Sequence, residues 1–184
     1  MLVRPLGPDD AAAFRALRIR SLREHPEAFG RTPEEVDSLD VWTERLRIDV
    51  NSDLDFTLGA FEGDTLVGIA GCHRDRGAKQ RHIAHIWGVY VIPERRGTGL
   101  GRKIFVAAVE RARAWPDLEQ LWLDVTTVNK GARALYASCG FTRIAIKPRV
   151  LKVGDSYYDE ELMAFAQSLE EKKGPPRGAQ QPVG

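Results

Sequence analysis

Trp87–Gly88–Val89–Tyr90–Val91–Ile92–Pro93–Glu94–Arg95–Arg96–Gly97–Thr98–Gly99–Leu100–Gly101–Arg102 is the stretch whose reading decides the fold. Aromatic and β-branched residues predict a strand that Pro93 ends. Glycines at every second position follow, and an amphipathic helical pattern runs from Gly99 to Trp115. A strand, a glycine loop and a helix start make an anion site. The first amides of a helix lack internal partners, and the helix dipole is positive there. Gly97, Gly99 and Gly101 let the backbone approach an anion, and Arg95, Arg96 and Arg102 add charge. Glycine loops also serve dinucleotide folds. Here, however, the loop follows three predicted strands, its spacing is G-x-G-x-G, and Lys103 is followed by Ile104 where a P-loop has Ser or Thr.

Working outward, Leu2–Leu6 reads as a short strand. Asp9 and Asp10 stand where a capping carboxylate belongs, and Ala11 to Arg23 has helical spacing that His25–Pro26 stops. Thr32–Pro33–Glu34–Glu35 reads as a capping box opening a second helix, expected over most of Thr32 to Val50 with a break near Asp40. Phe56 to Phe61 and Thr65 to Cys72 predict strands joined by the turn Glu62–Gly63–Asp64, and Arg81 to Ile92 predicts a third. Beyond the loop come a strand over Leu118 to Val125, a helix over Asn129 to Cys139, and strands over Phe141 to Ile146 and Tyr157 to Phe165. The order β, α, α, β, β, β, α, β, α, β, β implies a mixed α/β (α+β) sheet. One domain over 1–167 is expected. Residues 168–184, rich in Glu, Lys, Pro and Gly, read as a disordered tail.

The chain of 184 residues carries 27 basic and 26 acidic side chains, a net charge of +1, which argues against nonspecific nucleic-acid binding. Two cysteines, Cys72 and Cys139, fit a reducing compartment rather than a disulfide scaffold. No apolar run approaches the roughly 20 residues of a membrane span, and Met1 to Asp10 has no signal-peptide core. A cytoplasmic protein without membrane or nucleic-acid partners is expected. His25, His73, His82 and His85 are scattered in the chain, so no metal site is expected.

The loop Arg96–Gly97–Thr98–Gly99–Leu100–Gly101 resembles the cofactor loop of the GNAT family of N-acetyltransferases, Gln/Arg-x-x-Gly-x-Gly/Ala, at every defined position. Leu121–Trp122–Leu123–Asp124–Val125 resembles the family's fifth strand. Asn129, Ala134, Leu135, Tyr136 and Gly140–Phe141 follow its downstream signature. The strong resemblance covers roughly Arg81 to Ile146. It implies a splayed, mostly antiparallel sheet of about six or seven strands with about four helices, and a bulge on the fourth strand for which Gly88 is suited. It also implies acetyl-CoA as co-substrate. Val89, Tyr90 and Val91 would run beside the pantetheine arm, and Arg96, Gly97, Thr98, Gly99, Leu100, Gly101 and Arg102 would surround the pyrophosphate. Asn129 would hydrogen-bond the pantetheine. The partners implied are acetyl-CoA and an amine acceptor, and a homodimer is compatible with the family.

The implied chemistry is direct attack of an amine on the thioester. Tyr136 stands where the family's tyrosine approaches the sulfur and is the candidate acid; the alternative is a tyrosine that only shapes the pocket. Asp124 and His85 are the candidate bases, against a structural carboxylate, a half-buried sheet histidine, or a water relay. The run from Glu24 to Asp55 holds ten acidic residues, which would suit a cationic amine, but Arg31, Arg45 and Arg47 lie among them. A non-catalytic acyl-CoA-binding module of the same fold is the alternative function.

Overall fold

The computed structural model describes residues 1–49 and 52–165. Val50, at the end of the expected second helix, and the expected tail at 168–184 lie outside the described residues. The elements run β1 (Leu2–Pro5), α1 (Ala11–Glu24), α2 (Leu39–Asp49), β2 (Asp55–Glu62), β3 (Thr65–Arg74), β4 (Ile83–Val91), α3 (Leu100–Arg113), β5 (Gln120–Thr126), α4 (Lys130–Ser138), β6 (Phe141–Val153) and β7 (Ser156–Phe165). This is the predicted order. The strands form one seven-stranded sheet in the order β1-β2-β3-β4-β5-β7-β6. Every pairing is antiparallel except β4 with β5. Among the described residues no helix is long and apolar enough to cross a membrane.

Each face of the sheet carries its own core. On one face α3 and α4 bury Ile104, Phe105 and Tyr136 against Phe56, Ile86 and Leu123. On the other, α1 and α2 bury Phe14, Leu17, Trp42 and Leu46 against Leu6, Ile69 and Tyr90. Fully buried side chains of this size contribute roughly 1.5–3 kcal/mol each, so both layers are held firmly on the sheet.

Two irregularities in β4 position the site. The first is a bulge. Ile69 pairs with Tyr90 and Gly71 with Trp87, so Gly88 and Val89 together oppose Ala70. Gly88 has φ +66°, a conformation disfavoured for residues with a Cβ. The extra residue inverts the alternation beyond it. Tyr90 therefore turns to the α1 side and Val91 to the α3 side. The second is a parting of strands. The β4–β5 ladder runs from Ile83↔Gln120 to Ile86↔Leu123 and stops, leaving β4 beyond Trp87 with a free edge towards β5.

Four local expectations need correction. Asp10 precedes α1 but does not cap it; its carboxylate accepts from Arg4 Nη1 and Nη2 at 2.7 and 2.8 Å and from the Gly7 amide at 2.8 Å. A bidentate guanidinium outcompetes a single amide. Thr32 and Glu35 do form the capping pair, with Thr32 N–H donating to Glu35 at 2.7 Å, but it closes one 3-10 turn at Pro33–Glu35. The helix proper begins at Leu39. β6 runs on to Val153, well past Ile146, because Pro148 falls in the pairing irregularity between Lys147 and Leu151 of an edge strand, where a missing N–H is tolerated.

Candidate active site

A cleft of about 620 Å³ opens where β4 leaves β5. Val89, Tyr90 and Val91 form one wall. Arg96, Gly97 and Gly101, from the loop and first turn of α3, form the second. Asn129, Leu135 and Tyr136 on α4 form the third, and His25 to Phe29 close over it. The sequence thus located eight of the residues that line this cleft. The free edge of β4 offers backbone groups to an extended ligand, as a neighbouring strand would. The α3 N-terminus offers unpaired amides to an anion, since Lys103 N–H is the donor that reaches back to the Gly99 carbonyl. Gly99 itself sits at the N-cap with φ +81°.

The chain matches the acetyltransferase (GNAT) family over residues 16–141. It belongs to that family. It is 34% identical over 136 residues to the mycothiol acetyltransferase of Thermobispora bispora, a match covering 73% of this chain and 43% of that protein. The curated relatives it matches are covered over between 24% and 61% of their own length. Among solved structures, an acetyltransferase of the GNAT family from Streptococcus pneumoniae superposes with a TM-score of 0.82 at 27% identity, over 89% of this chain and 97% of that one. The putative acetyltransferase yncA of Salmonella typhimurium, solved with acetyl-CoA, shares the fold with a TM-score of 0.78 at 23% identity, over 95% of this chain and 97% of that one.

Within this GNAT cleft the predicted residues divide by what their side chains do. Asn129 caps α4, its Oδ1 accepting from the Ala132 amide at 3.1 Å. Tyr136 lies in the core, 7% exposed, its ring 4.6 Å from that of Phe105. Burial pushes its phenol pKa above the ordinary range, so the hydroxyl keeps its proton at neutral pH. Tyr90 lends the cleft its backbone while its hydroxyl donates to Glu24 at 2.6 Å, and burial followed by Glu24 pushes its pKa up to about 12.

The loop side chains are mostly engaged within the protein. Arg96 donates from Nε to the Val91 carbonyl at 3.1 Å, and its Nη2 lies 2.9 Å from His25 Nε2. Thr98 donates to the Arg95 carbonyl at 2.8 Å, and Arg102 donates to Ser138 Oγ at 2.8 Å. Leu100 is buried. Of these four, only Arg96 lines the cleft, and none of Thr98, Leu100, Gly99 and Arg102 does so by its side chain. What the loop offers an anion is therefore chiefly backbone.

The two candidate bases lie on the opposite face from Tyr136 and outside the lining of this cleft. His85 pairs across the sheet with Trp122, 5.6 Å between rings, and its Nε2 is 3.3 Å from Asp75 Oδ2. Asp124 is met by Lys147 Nζ at 2.7 Å, and Lys147 also reaches Glu160 at 3.4 Å.

Sequence spacing missed two features. Cross-strand pairing puts His73 opposite His85, their rings stacked at 5.0 Å. With Asp75 they bring three metal-competent atoms within 4.8 Å of one another, although His85 lies ten positions beyond Asp75 in the chain. The second is Arg18, an unremarked α1 residue whose guanidinium lies 4.6 Å above the Phe29 ring and 5.9 Å from that of Trp87. A basic residue between apolar Leu17 and Ile19 carried no signal of its own.

The acidic run is not an acidic wall. Asp37 meets Arg45 at 2.7 Å, Glu44 meets Arg47 at 3.0 Å, and Asp55 meets Arg76 at 2.5 Å. Trp42 packs edge-on to Phe14 at 4.6 Å, as core, and Tyr157 lies under Arg149 at 3.8 Å.

Proposed function

We propose that this chain transfers the acetyl group of acetyl-CoA to a primary amine. The observation that carries the reading is the single cleft joining the free edge of β4, the α3 N-terminus and Tyr136. The free edge takes the pantetheine amides, with the Asn129 amide nitrogen as a further donor. The Gly97–Gly101 backbone takes the pyrophosphate, favoured by the helix dipole. The thioester then lies at the β4 bulge, near the point where the two faces of the sheet communicate.

The amine nitrogen attacks the carbonyl carbon, forming the C–N bond. Collapse of the tetrahedral intermediate breaks the C–S bond, and the departing thiolate takes the Tyr136 proton. A backbone N–H at the bulge steadies the oxyanion. His85 and Asp124 lie outside the cleft lining, so the nitrogen gives its proton to water, relayed past backbone carbonyls, and solvent returns a proton to Tyr136. Activity in the cytoplasm suits the two free cysteines, Cys72 and Cys139.

The test is acetyl-CoA-dependent thiol release against a panel of primary amines. Amine-dependent release supports the transferase. Acetyl-CoA binding without release from any amine supports the non-catalytic acyl-CoA-binding reading instead.

A further inference from the structure

Among the described residues, no carboxylate pairs with the cation of Arg18. Its Nη1 is shut off from solvent and has no hydrogen-bond partner among the described residues. Neighbouring arginines are treated differently. Arg20 is bridged to Glu24 and Glu94, Arg45 to Asp37, and Arg95 to Glu62. Burial, and then the charge of another cation, Arg31, draws the Arg18 pKa down to about 10. Withdrawing part of a guanidinium from water without a counter-charge is destabilising, because the buried donors lose their hydration. Stacking on Phe29 and Trp87 compensates part of this and holds the planar group in one orientation.

The position of this cation makes it informative. A Cβ at Gly88 would lie 3.6 Å from Arg18 Nη1. The guanidinium therefore lies beside the β4 bulge on the α1 face, and the Phe29 ring on which it stacks lines the cleft together with Val89 and Tyr136. An acceptor that enters the bulge beside Phe29, a residue of the cleft lining, would meet the Arg18 guanidinium behind it. Guanidinium forks match carboxylates in a bidentate manner and fix their orientation.

We infer that Arg18 binds a carboxylate of the acceptor, so that the acceptor is a small amine bearing a carboxylate a few bonds from its nitrogen. This rests on the acetyltransferase reading above. Closeness to the bulge sets the chemistry: with the carboxylate on Arg18, only an amine a few bonds away reaches the thioester carbon. A free amino acid has this form. A peptide N-terminus or a polyamine lacks it.

The experiment measures kcat/KM for the twenty proteinogenic L-amino acids and for their carboxamides, with wild-type, Arg18→Met and Arg18→Lys proteins. Calorimetric acetyl-CoA binding and circular dichroism are measured alongside. The expected result is at least one amino acid acetylated roughly tenfold or more faster than its carboxamide. In Arg18→Met that ratio falls to about one, while in folded protein acetyl-CoA affinity stays unchanged; Arg18→Lys restores part of the ratio. Carboxamides acetylated as well as the acids would overturn the carboxylate site and leave the transferase standing. So would a preference for the acid that survives in Arg18→Met, or acetyl-CoA binding with no amino acid acetylated. Failure to bind acetyl-CoA would overturn the transferase reading, and this inference with it. If Arg18→Met does not fold, the wild-type acid-to-amide ratio together with Arg18→Lys decides.

Discussion

Asn129 Oδ1 accepts the Ala132 backbone N–H at 3.1 Å and so closes the first turn of α4, leaving the Nδ2 donor for a ligand. One side chain thus serves two functions that substitution can separate. Asn129→Asp keeps the cap but replaces the donor with a charged acceptor, so the melting temperature holds while acetyl-CoA affinity falls about tenfold. Asn129→Ala loses both, with stability down by about 1 kcal/mol, or roughly 2–4 °C in a chain of this size. Calorimetry and thermal melts check the pair. Undiminished affinity in Asn129→Asp would remove Asn129 from the ligand site.

Tyr136→Phe removes a hydroxyl and preserves the ring packing against Phe105. Turnover is expected to fall about a hundredfold, the usual scale for a lost general acid, with acetyl-CoA affinity and melting temperature nearly unchanged. Equal losses in kcat and in acetyl-CoA affinity would mean that the phenol binds rather than donates.

Local chemistry made some of this legible in sequence and left the rest hidden. The Arg96–Gly101 loop declares itself because glycine and helix-start signals lie within a few residues. Gly88 does so because glycine suits the left-handed backbone that some bulges adopt. Tyr136 and Asn129 reach the same cleft because α4 is short and begins at a recognisable cap. The stacked His73–His85 pair was invisible, since it depends on the β3–β4 register twelve residues apart. Arg18 was hidden for a related reason: its significance lies in the partner it lacks. The acidic run left two readings open, because charge composition does not show which carboxylates Arg45, Arg47 and Arg76 fold back onto.

Asp49 gives a pH prediction. Its carboxyl is raised from an ordinary value of 3.8 to about 6, first by burial and then by the nearby Asp55 charge. The native state therefore holds this proton more tightly than the unfolded chain does. Stability falls as pH rises from about 4 to about 6, and the loss persists above that range. Asp49→Asn removes the charge. It should stabilise the protein at pH 7 by on the order of 1 kcal/mol, allowing for solvent screening at a half-exposed site, with no gain at pH 4. Urea unfolding at the two pH values measures this; an equal gain at both would refute the charge origin.

The most direct test is a calorimetric titration of acetyl-CoA into the wild-type protein and into Gly99→Glu. Gly99 occupies the α3 N-cap at φ +81°, where a glutamate would put both a strained backbone and a negative charge at the anion end of the cleft. One acetyl-CoA bound per wild-type chain, and none detectable in a folded Gly99→Glu protein, is the expected result. No binding to the wild type, or equal affinity in the folded variant, would contradict the placement of acetyl-CoA in the cleft between β4, α3 and α4.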